Sequence, residues 1–459
     1  VIADDISPHL HVYGEATVQT PNLDRLAGQG VRFDRAFVTG PVCSASRSAL
    51  ITGVYQTTLG AHNHRSRRAR GRTAAELAPP FELLPRLFQE AGYYTSNGDG
   101  VEPPGKGPGK ADYNFVWDRS VYDGDDWSGR APGQPFFAQV QLEAGKKRHD
   151  PDEYRAVVSR LSRPVQPDEV TLPPYYPDDP VMRRDWAEYL NAVQYTDYEM
   201  GRLLERLEAE KVLANTYVFF LSDHGVSHAR GKMFLYDEGI RIPFIARGPR
   251  IEPGGVRADL VLQLDLAATS LALAGIPIPT WMDGRDLFAT DFEPRAYVVS
   301  ARDRADETVD RIRSVRTERW KYIRNGYPQR PYLQPNSYKD HKPILVRLRE
   351  MHRRGELDAA QSLIMASERP REELYDLRAD PWEIHDLAAD PASAARLEEL
   401  RGLLDEWIER SGDRGQTPED APTYASEMEL QIRSVENPVK RAALRANVEL
   451  MQRWAAEGR

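Results

Sequence analysis

Pro41-Val42-Cys43-Ser44-Ala45-Ser46-Arg47-Ser48-Ala49-Leu50-Ile51-Thr52-Gly53 is the stretch from which the rest of this chain can be read. Cys43 is the only cysteine in 459 residues, so no intrachain disulfide can form, and the plain alternative is a small buried hydrophobe. The flanks point to chemistry instead. Residues 45–52 read as a helix stopped by Gly53, which puts Cys43 at a helix N-terminus. Such an end carries free backbone N–H groups and partial positive charge, which lower a thiol pKa and attract anions. Arg47 follows one helical turn later, with its guanidinium over the thiol. A nucleophile, an anion hole and a fixed cation fall within a few residues.

The totals narrow the partners. Lys+Arg 61 against Asp+Glu 70 leaves a net charge of −9, which disfavours nucleic acid and anionic membranes as partners. Hydrophobic content of 41% supports packed cores, and no apolar run is long enough to span a bilayer. Length predicts two or three domains. One cysteine fits cytosol and bacterial periplasm equally. Val1-Ile2-Ala3 reads as the end of a buried strand, which predicts further residues upstream and leaves a leader open.

Working outward, Thr20-Pro21 opens a helix to about Gln29, and Val31 to Val38 reads as a strand. Phe81 to Ala91 is expected as a helix, 98–110 as a loop and Phe136 to Leu142 as a doubly buried strand. A long helix is expected from Arg184 to Lys211, feeding a strand at Tyr217 to Leu221. Ile242 to Ala246 reads as a strand and 265–275 as a helix. This alternation predicts an α/β sheet with helices on both faces over 1–290. Over 291–411, Tyr297 to Ser300, Ile312 to Thr317, Trp320 to Arg324 and Glu373 to Leu377 predict a smaller four-stranded antiparallel sheet. Residues 412–459 read as a polar linker, Gly412 to Pro422, and a tail helix opened by Asn437-Pro438, with Leu444, Val448, Met451 and Ala455 on one face.

Two acidic pairs end buried strands. Asp4-Asp5 follows the first, and Asp223-His224 follows Tyr217 to Leu221. Ligands collect at carboxyl ends in α/β sheets, and adjacent buried carboxylates repel unless a cation joins them. Three carboxylates and an imidazole therefore predict a divalent-metal site; the plain alternative is a pair of turn caps.

The Cys43 segment resembles the sulfatase signature, cysteine-x-proline/alanine-x-arginine followed by a short apolar run and Thr-Gly, with Ala45 at the variable position. Asp4-Asp5, Thr20 to Leu26, Ser222 to Gly225, Arg230-Gly231-Lys232, Leu235 to Pro243, Arg316 to Ile323 and Leu374 to Leu377 match further landmarks, in family order over most of 1–390. The resemblance implies the alkaline-phosphatase-like fold and a Cys43 oxidised to formylglycine by a maturation enzyme. It implies one divalent metal, calcium, held by Asp4, Asp5, Asp223, His224 and the Cys43-derived residue. Because His224 replaces a common asparagine, manganese or another transition metal is the alternative. Arg47, Lys110 and Lys232 are implied to hold the sulfuryl oxygens, Asp223 to accept the nucleophile's proton, and Lys146 to assist the leaving group. Lys147 and His149 rival Lys146, and an exposed basic loop is the plain reading. Lys110-Ala111-Asp112 stands where relatives have Gly-Lys-Trp-His, with Lys106 as the alternative lysine and Asp112 in the histidine slot. His64 and His228 are expected at the pocket rim, with His62 a weaker candidate. The implied activity is hydrolysis of a sulfate ester, or a sulfamate, on a sulfated glycan or small molecule, with a periplasmic or secreted location. Two alternatives stay open: a phosphonate monoester or phosphodiester hydrolase, and a non-catalytic binding scaffold.

Overall fold

Buried runs too short to be stable alone form one large mixed sheet. The computed structural model describes residues 1–66, 76–101, 107–148 and 150–459, so the candidates Lys106 and His149 lie outside the described residues. The strands are β1 (Ile2–Ala3), β2 (Val31–Phe37), β3 (Tyr94–Asp99), β4 (Phe136–Leu142), β5 (Val218–Ser222), β6 (Arg241–Ile242), β7 (Phe244–Arg247) and β8 (Gly255–Leu262). Their order is β3-β4-β1-β5-β7-β2-β6, with β8 on the other edge of β2. β3, β4, β1 and β5 run parallel, so their carboxyl ends lie along one edge. β7 reverses direction against β5.

The helices flank both faces. Leu23 and Leu26 of the helix Pro21–Gly28 and Trp186, Leu190, Leu203 and Leu207 of the helix Pro180–Ala209 pack with Val140, Phe220 and Ile245 on one face. Ile51, Phe88 and Leu271, from the helices Cys43–Thr52, Leu84–Glu90 and Asp265–Ala274, share a core with Tyr113 and Phe115 on the other. The smaller sheet is antiparallel, in the order β12 (Glu372–Asp376), β11 (Trp320–Asn325), β10 (Ile312–Thr317), β9 (Tyr297–Arg302). Leu400, Leu404 and Trp407 of the helix Ala394–Ser411 cover its Val299, Val315, Tyr322 and Leu374. The two sheets are joined directly: Ala301 N–H donates to the Thr39 carbonyl at 2.8 Å, and the Ser300 hydroxyl to that of Val38 at 2.7 Å.

The structure departs from the expected elements at definable points. The long helix starts at Pro180, where the Asp179 side chain accepts from Val181 N–H at 2.9 Å. Pro243 has no N–H, and it divides the strand expected over 242–246 into β6 and β7. β3 and β8 were not expected, and β3 takes the first residues assigned to the loop 98–110. The polar linker expected to Pro422 ends early, because Ala421–Ser434 is a helix capped by Asp420. It pairs with the helix Pro438–Ala456 through Tyr424, Met428 and Ile432 against Leu444, Val448, Met451 and Trp454. Trp454, not the expected Ala455, completes that buried face, and Ala455 is exposed. Trp454→Ala is therefore expected to cost about 3 kcal/mol in chemical denaturation, whereas Ala455→Ser leaves the midpoint unchanged.

Candidate active site

The parallel strands bring the site together. β1 ends in Asp4 and Asp5 and β5 in Asp223 and His224, while Lys146 follows β4 and Lys110 follows β3. All six arrive at one sheet edge because their strands share a direction. Cys43 is the first residue of its helix and is fully buried. Its Sγ lies 3.2 Å from His224 Nε2 and 3.2 Å from Lys232 Nζ. Gly145 sits where the turn after β4 crosses Asp5, and a Cβ there would run into the Asp5 carbonyl.

One ligating atom each from Asp5, Cys43, Asp223 and His224 lies within 4.8 Å of the others, all buried. His224 Nδ1 donates to the Gly225 carbonyl at 2.8 Å, which leaves Nε2 facing the set, 3.2 Å from Asp5 Oδ1. Two carboxylates, an oriented imidazole and the residue-43 side chain fit a divalent cation. Asp4 stands just outside this set, bound by Arg47, Lys146 and, at 3.1 Å, Lys110.

Burial alone would neutralise these acids, but the cations prevail. Burial raises the Asp4 pKa, yet Lys110, Lys146 and Arg47 hold it well below the carboxylate range. Asp5 is likewise held low against burial by Lys232, Lys146 and His224. Burial opposes the Cys43 thiolate, but Lys110 and Lys232 bring its pKa down to about 6. Lys146 and Lys232 are held well above the lysine range by their acidic neighbours, against burial, so both are cations here.

The Sulfatase family profile matches residues 1–276, and that of the N-sulphoglucosamine sulphohydrolase C-terminal region matches 224–332. An ulvan-active sulfatase of Formosa agariphila is 31% identical over 461 residues, covering 91% of this chain and 76% of its own. The chain belongs to the sulfatase family. It is a sulfuric ester hydrolase of a family that uses formylglycine and a divalent metal. The human N-sulphoglucosamine sulphohydrolase is 25% identical over 459 residues, covering 89% and 88% of the two chains. In fold, this sulfatase is similar to a protein solved with its substrate D-glucosamine-2-N,6-O-disulfate, with a TM-score of 0.61 at 18% identity over 90% of this chain and 97% of that one.

The sulfatase places the other candidates unevenly. Arg47 directs Nε to Asp223 at 3.0 Å, one terminal nitrogen to Gln141 at 2.7 Å and the other to Asp4, so each of its three nitrogens has a protein partner. Here it holds Asp4 and Asp223 in place beside the nucleophile. Lys110, Lys146 and Asp112 keep about a quarter of their side chains exposed (25%, 23% and 26%), so the cluster reaches solvent through them. Asp112 lies 3.8 Å from Lys110 and 3.7 Å from Arg47. Lys147 pairs with Glu143, and Arg148 is buried against Asp185, so residues 146–148 are not an exposed basic loop. His64 is buried behind the nucleophile: its Nδ1 takes the Ser44 hydroxyl at 2.9 Å, and burial keeps the ring neutral. His228 stacks on Trp186 at 4.5 Å within an aromatic layer, and burial followed by Arg148 lowers its pKa to about 3.

Sequence reasoning missed several residues. Tyr338 reaches Asp5 Oδ2 at 3.4 Å, with the Lys232 and Lys342 ammonium groups 4.8 Å and 4.5 Å from its ring. Arg65 is half exposed on left-handed backbone (φ 53°), fixed by its N–H to the Ser44 hydroxyl at 2.9 Å. Arg304 braces this loop from the small sheet: its carbonyl accepts His64 N–H at 2.8 Å, and its guanidinium holds Glu419 and Glu427. Only the distance of Arg65 and His64 past the Cys43 helix hinted at such roles. Arg47→Ala would leave Asp4 and Asp223 without their shared cation. It is expected to destabilise the chain by about 3–5 kcal/mol, with part of the midpoint recovered on adding a divalent cation.

Proposed function

We propose that this sulfatase removes sulfate from a saccharide, using a formylglycine made from Cys43 and one divalent cation. The carrying observation is the buried set of Asp5, Asp223, His224 and Cys43, with the Lys232 ammonium 3.2 Å from the sulfur. Asp5, Asp223, His224 and residue 43 would hold the cation, with Asp4 joining them. Converting Cys43 replaces the sulfur by oxygen, so the donors become oxygen-rich, which favours calcium. The cation would neutralise the bound sulfate, and the hydrated aldehyde would supply the nucleophilic hydroxyl.

The chain's own residues do the rest. Lys232 and Lys110 hold sulfuryl oxygens from two sides of residue 43. Asp223, fixed by Arg47, accepts the proton of the attacking hydroxyl. Lys146, protonated and open to the pocket, donates a proton to the departing oxygen. Arg65 at the rim meets a second anionic group on the sugar. The saccharide class is supported by the ulvan-active and N-sulphoglucosamine relatives. A maturation enzyme and a periplasmic or secreted location go with this reading.

Peptide mass should show the Cys43 thiol replaced by an aldehyde, and elemental analysis one calcium per chain. Cys43→Ala should abolish turnover of sulfated sugars while the denaturation midpoint holds. Turnover by a fully unmodified thiol population would sink the proposal, and a preference for aryl phosphonates with manganese would transfer it to the phosphonate hydrolase alternative. Lys146→Ala should slow sulfated sugars, which have poor leaving groups, by roughly 10²-fold more than activated aryl sulfates. An equal loss on both would make Lys146 a sulfate-binding group only.

A further inference from the structure

The seam between the small sheet and its covering helix changes character along its length. Val315, Tyr322 and Leu374 pack on Leu400 and Leu404. Two residues along the same strands, the register sets Arg313 opposite Arg324 and Arg324 opposite Glu372. Like charges directly opposite are unfavourable in a sheet. Here they line a cavity of about 420 Å³ that Arg311, Arg371 and Arg401 also enter. Its lining carries five arginines against two carboxylates, Glu372 and Asp405.

Tracing the pairs shows where charge is left over. Arg401 makes a two-pronged bond to Glu372, both prongs 2.8 Å, and also reaches Glu398 at 3.2 Å, while Arg324 reaches Asp405 at 2.6 Å. Arg313 is satisfied from behind by Asp413 at 2.6 Å and Asp303 at 3.1 Å. Among the described residues Arg311 meets no carboxylate; its bond goes to the Gln416 carbonyl at 3.0 Å. The Arg371 guanidinium has no partner among the described residues, although its own carbonyl is held by Asn325 N–H at 2.9 Å. The residue beside Arg311 is Gly326, where a Cβ would come within 2.7 Å of the Arg311 Nε. The missing side chain is what lets that guanidinium sit there.

We propose that this cavity is a second oxyanion site, in which Arg311 and Arg371 take a sulfate group in forked hydrogen bonds, with a sugar ring filling the remaining volume against Ile408. Its lining residues are not those of the Cys43 cluster. It would bind a sulfated saccharide, and that identity of the ligand rests on the saccharide reading above. The shared chemistry is a tetrahedral oxyanion, which a sulfate ester or a free inorganic anion can supply.

Equilibrium dialysis of the full chain against radiolabelled inorganic sulfate tests it. The wild type should hold one equivalent more than an Arg311→Gln/Arg371→Gln double variant, or hold that equivalent roughly tenfold more tightly. The double variant should keep wild-type turnover of a small aryl sulfate, which separates this site from the catalytic proposal. An Arg311→Lys/Arg371→Lys variant should retain part of the binding and controls for loss of fold. Glucose 6-sulfate displacing the label at lower concentration than inorganic sulfate or phosphate assigns the site to the ester; equal displacement assigns it to the free anion. Binding by the double variant indistinguishable from wild type, or no second equivalent in the wild type, would overturn the proposal.

Discussion

Three buried carboxylates at the ends of two adjacent strands are the constraint from which the site follows. Asp4, Asp5 and Asp223 are at most 3% exposed. Taking one ionised carboxylate out of water costs several kcal/mol, and three together would not stay ionised without cations around them. The chain brings those cations from separate places: Arg47 from the nucleophile helix, Lys110 and Lys146 from the loops after β3 and β4, and Lys232 from beyond β5. The loops around the sheet edge are therefore fixed by charge as much as by packing. Three of these cations, Lys110, Lys232 and Lys146, also lower the Cys43 thiol pKa against burial, so one grouping of charge serves the carboxylates and the nucleophile position together.

That arrangement is held on strained backbone. Asp5 (φ 59°), Arg65 (53°), Ala144 (43°), Met233 (75°) and Asp306 (52°) all adopt left-handed backbone without being glycine. Each costs on the order of 1–3 kcal/mol. Asp5 and Met233 adjoin reactive side chains, Ala144 starts the turn carrying Lys146, and Arg65 and Asp306 face each other at the rim. The bracing needed to keep them so comes partly from the C-terminal helices, where Glu427 takes both the Ser66 hydroxyl and Arg304. Those helices are thus part of the support of the site, although no motif marks them.

Much of the architecture was legible because it rests on local signals. The Cys43 helix is announced by its stop at Gly53 (φ 68°), and the acidic pairs mark strand ends whatever the partner strands are. The four-stranded sheet was readable from short alternating runs. What could not be read depends on partners distant in the chain. β3 contains Ser96, Asn97 and Gly98, a weak strand on its own, and it exists because β4 pairs with all six of its residues. The helix Ala421–Ser434 was not expected, and its first two residues fell in the expected linker, because its buried face is completed only by a second helix. That Asp4, Asp223 and Gln141 accept hydrogen bonds from Arg47 could not be read locally, because all three come from other parts of the chain. Tyr338 reaches Asp5 from 333 residues away, a separation no pattern encodes.

The joining of the two sheets bears on how a ligand enters. Ala301 N–H on Thr39 and the Ser300 hydroxyl on Val38 are buried bonds, and His64 N–H on Arg304 adds a third link near the nucleophile. Hinged opening between the lobes would have to break these bonds in the interior, where unmade hydrogen bonds are costly. These bonds tie the two sheets together and oppose their separation. Beside this fixed frame, Arg65, Lys110 and Lys146 are the cations that keep part of their side chains in solvent, so adjustment to a ligand falls to side chains rather than to the backbone around the nucleophile.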